Sequence, residues 1–159
     1  MPMRISLRSL FLFTIIFSLS TFSYAQSPGA SSAGLGKDPL ERCLWYNAEK
    51  TAKIQIYKAV DGKFYGKIVW LKVPDIDGKP KTDSHNPDKA KQSNPILGLM
   101  LLTEMKKVGD NKYEDGKVYD PKNGKTYSCI ITDKGESLDL RGYIGFSFIG
   151  RSTTWTKAD

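Results

Sequence analysis

Histidine occurs once in this chain and cysteine twice. That scarcity removes several chemistries together. No Cys or His pair has the spacing of a zinc site. No glycine-rich phosphate loop with its lysine is present. The one histidine, His85, lies in TDSHNPD. A Ser-His-Asp relay would have to use Ser84, His85 and Asp83 or Asp88, but neighbours in sequence rarely reach triad geometry, and no strand-to-helix elbow surrounds the serine. A hydrolase working through this Asp-rich loop is therefore the weakest function class. The stretch DIDGK at 75–79 opens like a calcium loop, but its glycine comes too early and Asn86 stands where the bidentate glutamate belongs. The expectation is a protein that is not an enzyme and holds no metal or cofactor.

What is present begins with an export signal. Arg4 and Arg8 form a basic start, the residues from Leu10 to Phe17 an apolar centre, and Ser23, Tyr24 and Ala25 a cleavage site with small residues in the two positions that matter. Residues 1–25 are expected to be a signal peptide, cut after Ala25. The apolar stretch is too short to span a bilayer, which takes about 20 residues, and no cysteine follows the cut to take a lipid anchor. The mature chain is expected in the periplasm or outside the cell, without stable membrane insertion. The full sequence has a net charge of +7, and losing Arg4 and Arg8 leaves it basic. Basic surfaces attract anionic lipid, lipopolysaccharide or acidic polymer. The lysines here are scattered singly, which favours a solvated face, and export argues against nucleic acid.

Residues 26–39, rich in Ser, Gly, Ala and Pro, read as a flexible leader with little to bury. Residues 40–159 read as one domain of strands and turns. Ile54 and Ile56 alternate with polar residues, Asp61-Gly62 marks a hairpin, and Phe64, Gly66, Ile68 and Trp70 fall on one face of the next strand. The polar stretch at 72–95 predicts a long inserted loop or a short helix, with Pro87 at the start of PDKAKQ. Between Ile96 and Leu102 only Gly98 interrupts the apolar run ILGLMLL, which predicts a strand covered on both faces, the outer one by the loop or a partner. About eight short strands in all argue for an antiparallel barrel or sandwich, eight being the number at which a closed barrel holds side chains or one small ligand.

Trp45, Phe64, Trp70, Tyr127 and Trp155 sit at period-two positions expected to face inward. They read either as core or as the wall of a ligand cavity, with Phe146 and Phe148 at its mouth. Cys43 and Cys129 are in phase with inward neighbours. Export permits a disulfide between them, and two separate buried thiols fit equally well.

The blocks DGKFYGKIVWLK, GKPKTDSHNPDKAKQSNPILGLMLL, GKVYDPKNGKTYSC and LRGYIGFSFIGRSTTW resemble, in this order, the bacterial exported family known as domain-of-unknown-function 2147. The resemblance runs from about Leu40 to Lys157. It implies a lipocalin-like, up-and-down antiparallel β-barrel and, by analogy of fold, a small apolar ligand; the fold does not set the function. Cys43 stands where the family often has glycine two residues before the first-strand tryptophan, and Lys157 stands where it usually ends in arginine. In such a barrel the last strand pairs with the first. That pairing is expected to bring Arg151 over the indole of Trp45 as a seal on one barrel end.

The leading expectation is an exported, non-enzymatic barrel binding a small hydrophobic or amphipathic envelope molecule. The alternative is an interaction module or homodimer that docks through the strand from Ile96 to Leu102 and the loop carrying Phe146, Phe148 and Ile149.

Overall fold

The computed structural model describes residues 36–158. The expected signal peptide and all but the end of the leader lie outside them. Ten strands follow in order: β1 (Leu44–Tyr46), β2 (Ala52–Lys58), β3 (Phe64–Leu71), β4 (Asp75–Ile76), β5 (Lys79–Pro80), β6 (Met100–Lys107), β7 (Lys112–Asp120), β8 (Lys125–Asp133), β9 (Ser137–Tyr143) and β10 (Gly150–Lys157). Eight of them close into one antiparallel barrel, in the order β1-β10-β9-β8-β7-β6-β3-β2. Strands β4 and β5 form a separate ribbon inside the long connection between β3 and β6. The up-and-down, eight-stranded expectation is met.

Alternation dictates the inner face. Ala52, Ile54 and Ile56 of β2 are buried, as are Phe64, Gly66 and Ile68 of β3. The hairpin between these strands is closed by Asp61, whose carboxylate accepts the Lys63 amide at 3.0 Å. Bulges then bend the strands round. Gly116 of β7 lies so close to β6 that a β-carbon there would run into Met105 and the Thr103 carbonyl. The neighbouring register shift carries Asp115 at φ 60°, which sharpens the local twist a closed barrel needs.

The run from Ile96 to Leu102 is not one doubly covered strand. Gly98 adopts φ 90°, a conformation other residues avoid, and ends the extended chain. β6 begins only at Met100. Gly66 faces Leu102 while Lys67 faces Met100, so Leu101 is an extra residue at a bulge. Leu101 and Leu102 are both buried. In the long loop the expected helix is a single 3₁₀ turn, Lys89–Lys91, capped by Asp88, whose carboxylate accepts the Ala90 amide at 3.0 Å.

Strand direction sorts the connections into two groups. The β2–β3, β6–β7 and β8–β9 turns share one end with the N-terminal segment. That end is filled. A 3₁₀ turn, Pro39–Glu41, plugs it with the buried Leu40, whose carbonyl accepts the Trp45 indole N–H at 2.9 Å. Asp38 accepts the Tyr113 hydroxyl at 2.5 Å and the Lys107 ammonium at 2.8 Å. The barrel thus takes in Asp38 and Pro39, two residues that the sequence assigns to the leader.

Candidate functional site

The opposite end carries the β1–β2, β3–β6, β7–β8 and β9–β10 connections, and it is hollow. A cavity of about 1640 Å³ opens there. Ala52, Ile68, Leu101, Leu140 and Trp155 give it a buried, apolar wall; Val118, Tyr127, Gly142 and Thr153 continue it outward. Along β2 and β9 the inner residues grow smaller toward the mouth. β10 supplies Trp155, then Thr153, then Arg151 at the rim. β9 supplies Leu140 and then Gly142.

The rim is basic. Lys72, Lys79, Lys81, Lys122, Lys125 and Arg151 line it, against Glu49 and Asp120. Glu49 is held by Lys122 at 2.5 Å. Asp120 caps its own turn, accepting the Lys122 amide at 3.0 Å. The long loop is clasped over one side of the mouth by Asp83, a buried carboxylate that accepts the Tyr119 hydroxyl at 2.8 Å and the Asn86 amide nitrogen at 2.7 Å. Burial, and then the bond to Asp83, push the Tyr119 hydroxyl up to about 12. It therefore stays a neutral donor at ordinary pH.

The aromatic residues expected to share one cavity divide three ways. Trp155 and Tyr127 line it. Trp45 and Phe64 belong to the filled end, with Phe64 edge-on to Tyr113 at 5.2 Å between ring centroids. Trp70 faces outward and is 38% exposed. Its strand skips a residue at β2, where Ile54 faces Ile68 but Lys53 faces Trp70. That shift reverses the alternation and sets Trp70 edge-on to Tyr46, with the Lys53 ammonium over its ring, on the outer face. Phe146 and Phe148 stand at the mouth, but as an exposed stacked pair on the β9–β10 loop; Ile144 and Ile149 are the loop residues that touch the cavity.

The Arg151–Trp45 seal does not form. Trp45 pairs with Lys157 and Arg151 with Gly142. Arg151 is six residues up the strand from Lys157, about 20 Å at the usual rise. The first and last strands do pair, but near their closed-end positions. Trp45 is closed off by the Leu40 carbonyl instead. Cys43, half-buried, and Cys129, buried, carry free thiols. Burial raises both, Cys129 to about 12, which makes them poor nucleophiles.

The loop serine and histidine do not assemble a relay. Ser84 Oγ lies 3.5 Å from His85 Nδ1 on the exposed surface, while Asp83 is committed to Tyr119 and Asn86. Among the described residues no cluster of His, Cys, Asp or Glu could hold a metal ion, and no helix is long and apolar enough to cross a membrane.

Ala52, Leu101, Val118, Leu140 and Gly142 were not expected as wall residues. Leu138, Leu140 and Gly142 alternate in ESLDLRGY, a period-two signal that could have placed the last two. Leu101 could not be placed that way, because its position depends on a bulge.

A closed eight-stranded meander, filled at one end and hollow at the other, defines a lipocalin-like barrel. The chain belongs to the family described as "Uncharacterized protein conserved in bacteria (DUF2147)", whose model matches residues 43–157. Among solved structures it is similar to the Helicobacter pylori protein HP1028, described as belonging to the lipocalin family. The two are 24% identical with a TM-score of 0.62, over 74% of this chain and 82% of that one. At that identity the likeness speaks for the fold alone. Among curated proteins no relative matches.

Proposed function

We propose that this protein is an exported, non-enzymatic barrel that holds a small hydrophobic or amphipathic molecule of the cell envelope, in the periplasm or outside the cell. One observation carries the reading: the cavity of about 1640 Å³ has a buried apolar wall and a basic rim. A ligand with an apolar body and an anionic or polar end matches that division. Each methylene buried against Trp155, Leu140 and Ile68 contributes about 0.8 kcal/mol before ordering costs. Arg151 stands at the rim on the cavity-lining face of β10 and makes no ion pair among the described residues. Its guanidinium is free to meet a carboxylate or phosphate. Export is supported by the sequence features of residues 1–25.

The test is a titration with cis-parinaric acid, a fluorescent fatty acid, and with its methyl ester, in buffer without membranes. The acid should bind saturably at one site and quench tryptophan emission. Arg151→Ala should weaken the acid by several-fold and leave the ester unchanged, with melting unaltered because the residue is exposed. If neither probe binds saturably, the reading fails.

A further inference from the structure

The β9–β10 loop displays four large apolar side chains to solvent: Ile144 is 68% exposed, Phe146 69%, Phe148 75% and Ile149 63%. Such a cluster is costly in water and calls for a partner. It is also held in shape. Phe146 and Phe148 stack at 5.5 Å. Arg141 reaches across from β9 and donates to the Ser147 carbonyl at 2.5 Å, to the Phe148 carbonyl at 2.9 Å and to Ser152 Oγ at 3.2 Å. A tip already set in one conformation loses little freedom when it docks.

Val73 and Ile76, on the long loop at the same rim, are also exposed. Around these apolar groups stand Lys72, Lys79, Lys81, Lys125 and Arg151, none in an ion pair among the described residues. Asp75 and Asp77 near the ribbon and Asp120 at the rim offset part of that charge.

We propose that the open end of the barrel is a docking face for an anionic lipid bilayer. Apolar tips flanked by unpaired cations match the chemistry of such a surface. The rings enter the boundary between headgroups and acyl chains, and the lysines meet the phosphates. A second copy of the same face would set like charges against each other. The cavity lies at the same end as the tips, with Ile144 and Ile149 of the same loop lining it, so an amphipathic ligand passes between bilayer and barrel without crossing water. That consequence rests on the ligand-binding reading; the docking itself does not.

The experiment is co-sedimentation of the purified exported protein with vesicles of phosphatidylcholine and phosphatidylglycerol in equal parts, and with vesicles of phosphatidylcholine alone. The protein should pellet with the mixed vesicles and stay in solution with the neutral ones. Phe146→Ser combined with Phe148→Ser should weaken vesicle binding at least about ten-fold, and near-molar salt should weaken it strongly. Thermal melting of the double variant should match the parent, since both rings are exposed. The proposal is overturned by no pelleting with mixed vesicles, equal binding to neutral ones, or full binding by the double variant. A lipid-free dimer broken by the same two substitutions would also overturn it, in favour of a second copy as the partner. Probe binding is measured without vesicles, so failure of docking and failure of ligand binding are separately visible.

Discussion

The two ends of this barrel are built from the same eight strands and the same alternation, yet one is solid and the other hollow. The difference lies in residue size along the inner faces of β2, β7 and β9. Toward the closed end β2 and β3 contribute Ile56 and Phe64, β6 contributes Met105 and β7 contributes Tyr113, all buried. Toward the mouth the inner residues become Ala52, Val118, Gly142 and Thr153. Eight strands enclose a space that side chains can either fill or leave for one ligand, and here one barrel does both. Ion pairing differs in part, since Lys58 and Lys134 at the closed end also stand outside every ion pair among the described residues. Lys107–Asp38, Lys112–Glu114 and Lys157–Glu136 are paired toward the closed end. At the mouth, of the six cations lining the cavity, Lys122 alone is in an ion pair among the described residues. Paired charge suits a permanent seal. Unpaired charge suits a partner that comes and goes.

Substitutions at the two ends should differ widely in cost. Trp45→Ala removes a side chain that is 1% exposed and bonded to the Leu40 carbonyl. It should cost about 3–5 kcal/mol in denaturant unfolding. Thr153→Ala, on the cavity wall, should stay within about 0.5 kcal/mol. Equal losses would mean that the cavity end carries stability as well.

A smaller effect sharpens the same contrast. Burial alone would raise the Asp38 carboxyl, but hydrogen bonds from Lys107, Tyr113 and the Leu40 amide, with the Lys107 charge, outweigh it and hold the carboxyl below its ordinary value. A group with a depressed folded pKa adds stability above its unfolded value, about 3.9. That stability is lost as pH falls through the lower folded value. Melting of the parent should therefore drop more steeply than that of Asp38→Asn as pH falls below about 4. At neutral pH Asp38→Asn should itself cost about 1–2 kcal/mol. Parallel melting curves across the acid range would remove Asp38 from the plug.

The barrel was legible in the sequence because period-two alternation and turn residues are local signals. Ile54, Ile56, Phe64 and Ile68 needed nothing else. Trp70 and Leu101 were not legible: each sits beside a register shift, and a shift of one residue moves every later side chain to the other face. The site was half legible for a different reason. Alternation says that Trp45 and Trp155 both face inward, but it does not say at what height in the barrel. Height depends on the stagger between β1 and β10, which no residue pattern within either strand records. Arg151 illustrates the consequence. Its inward phase was readable, but its place at the mouth, far from Trp45, follows from register alone. The plug was missed because Asp38 acts through Tyr113 and Lys107, more than sixty residues away in sequence.

If ligand binds at the open end and the closed end carries stability, the two should respond differently to a ligand. Amide hydrogen exchange of the protein with and without saturating cis-parinaric acid tests this most directly. Protection should increase around Ile68, Val118, Tyr127 and Leu140 and along the β9–β10 loop, while the amides of Tyr113, Ile131 and Leu138 stay as slow as before. Protection that appears at the plug or on the outer face around Trp70, with the mouth unchanged, would contradict the account.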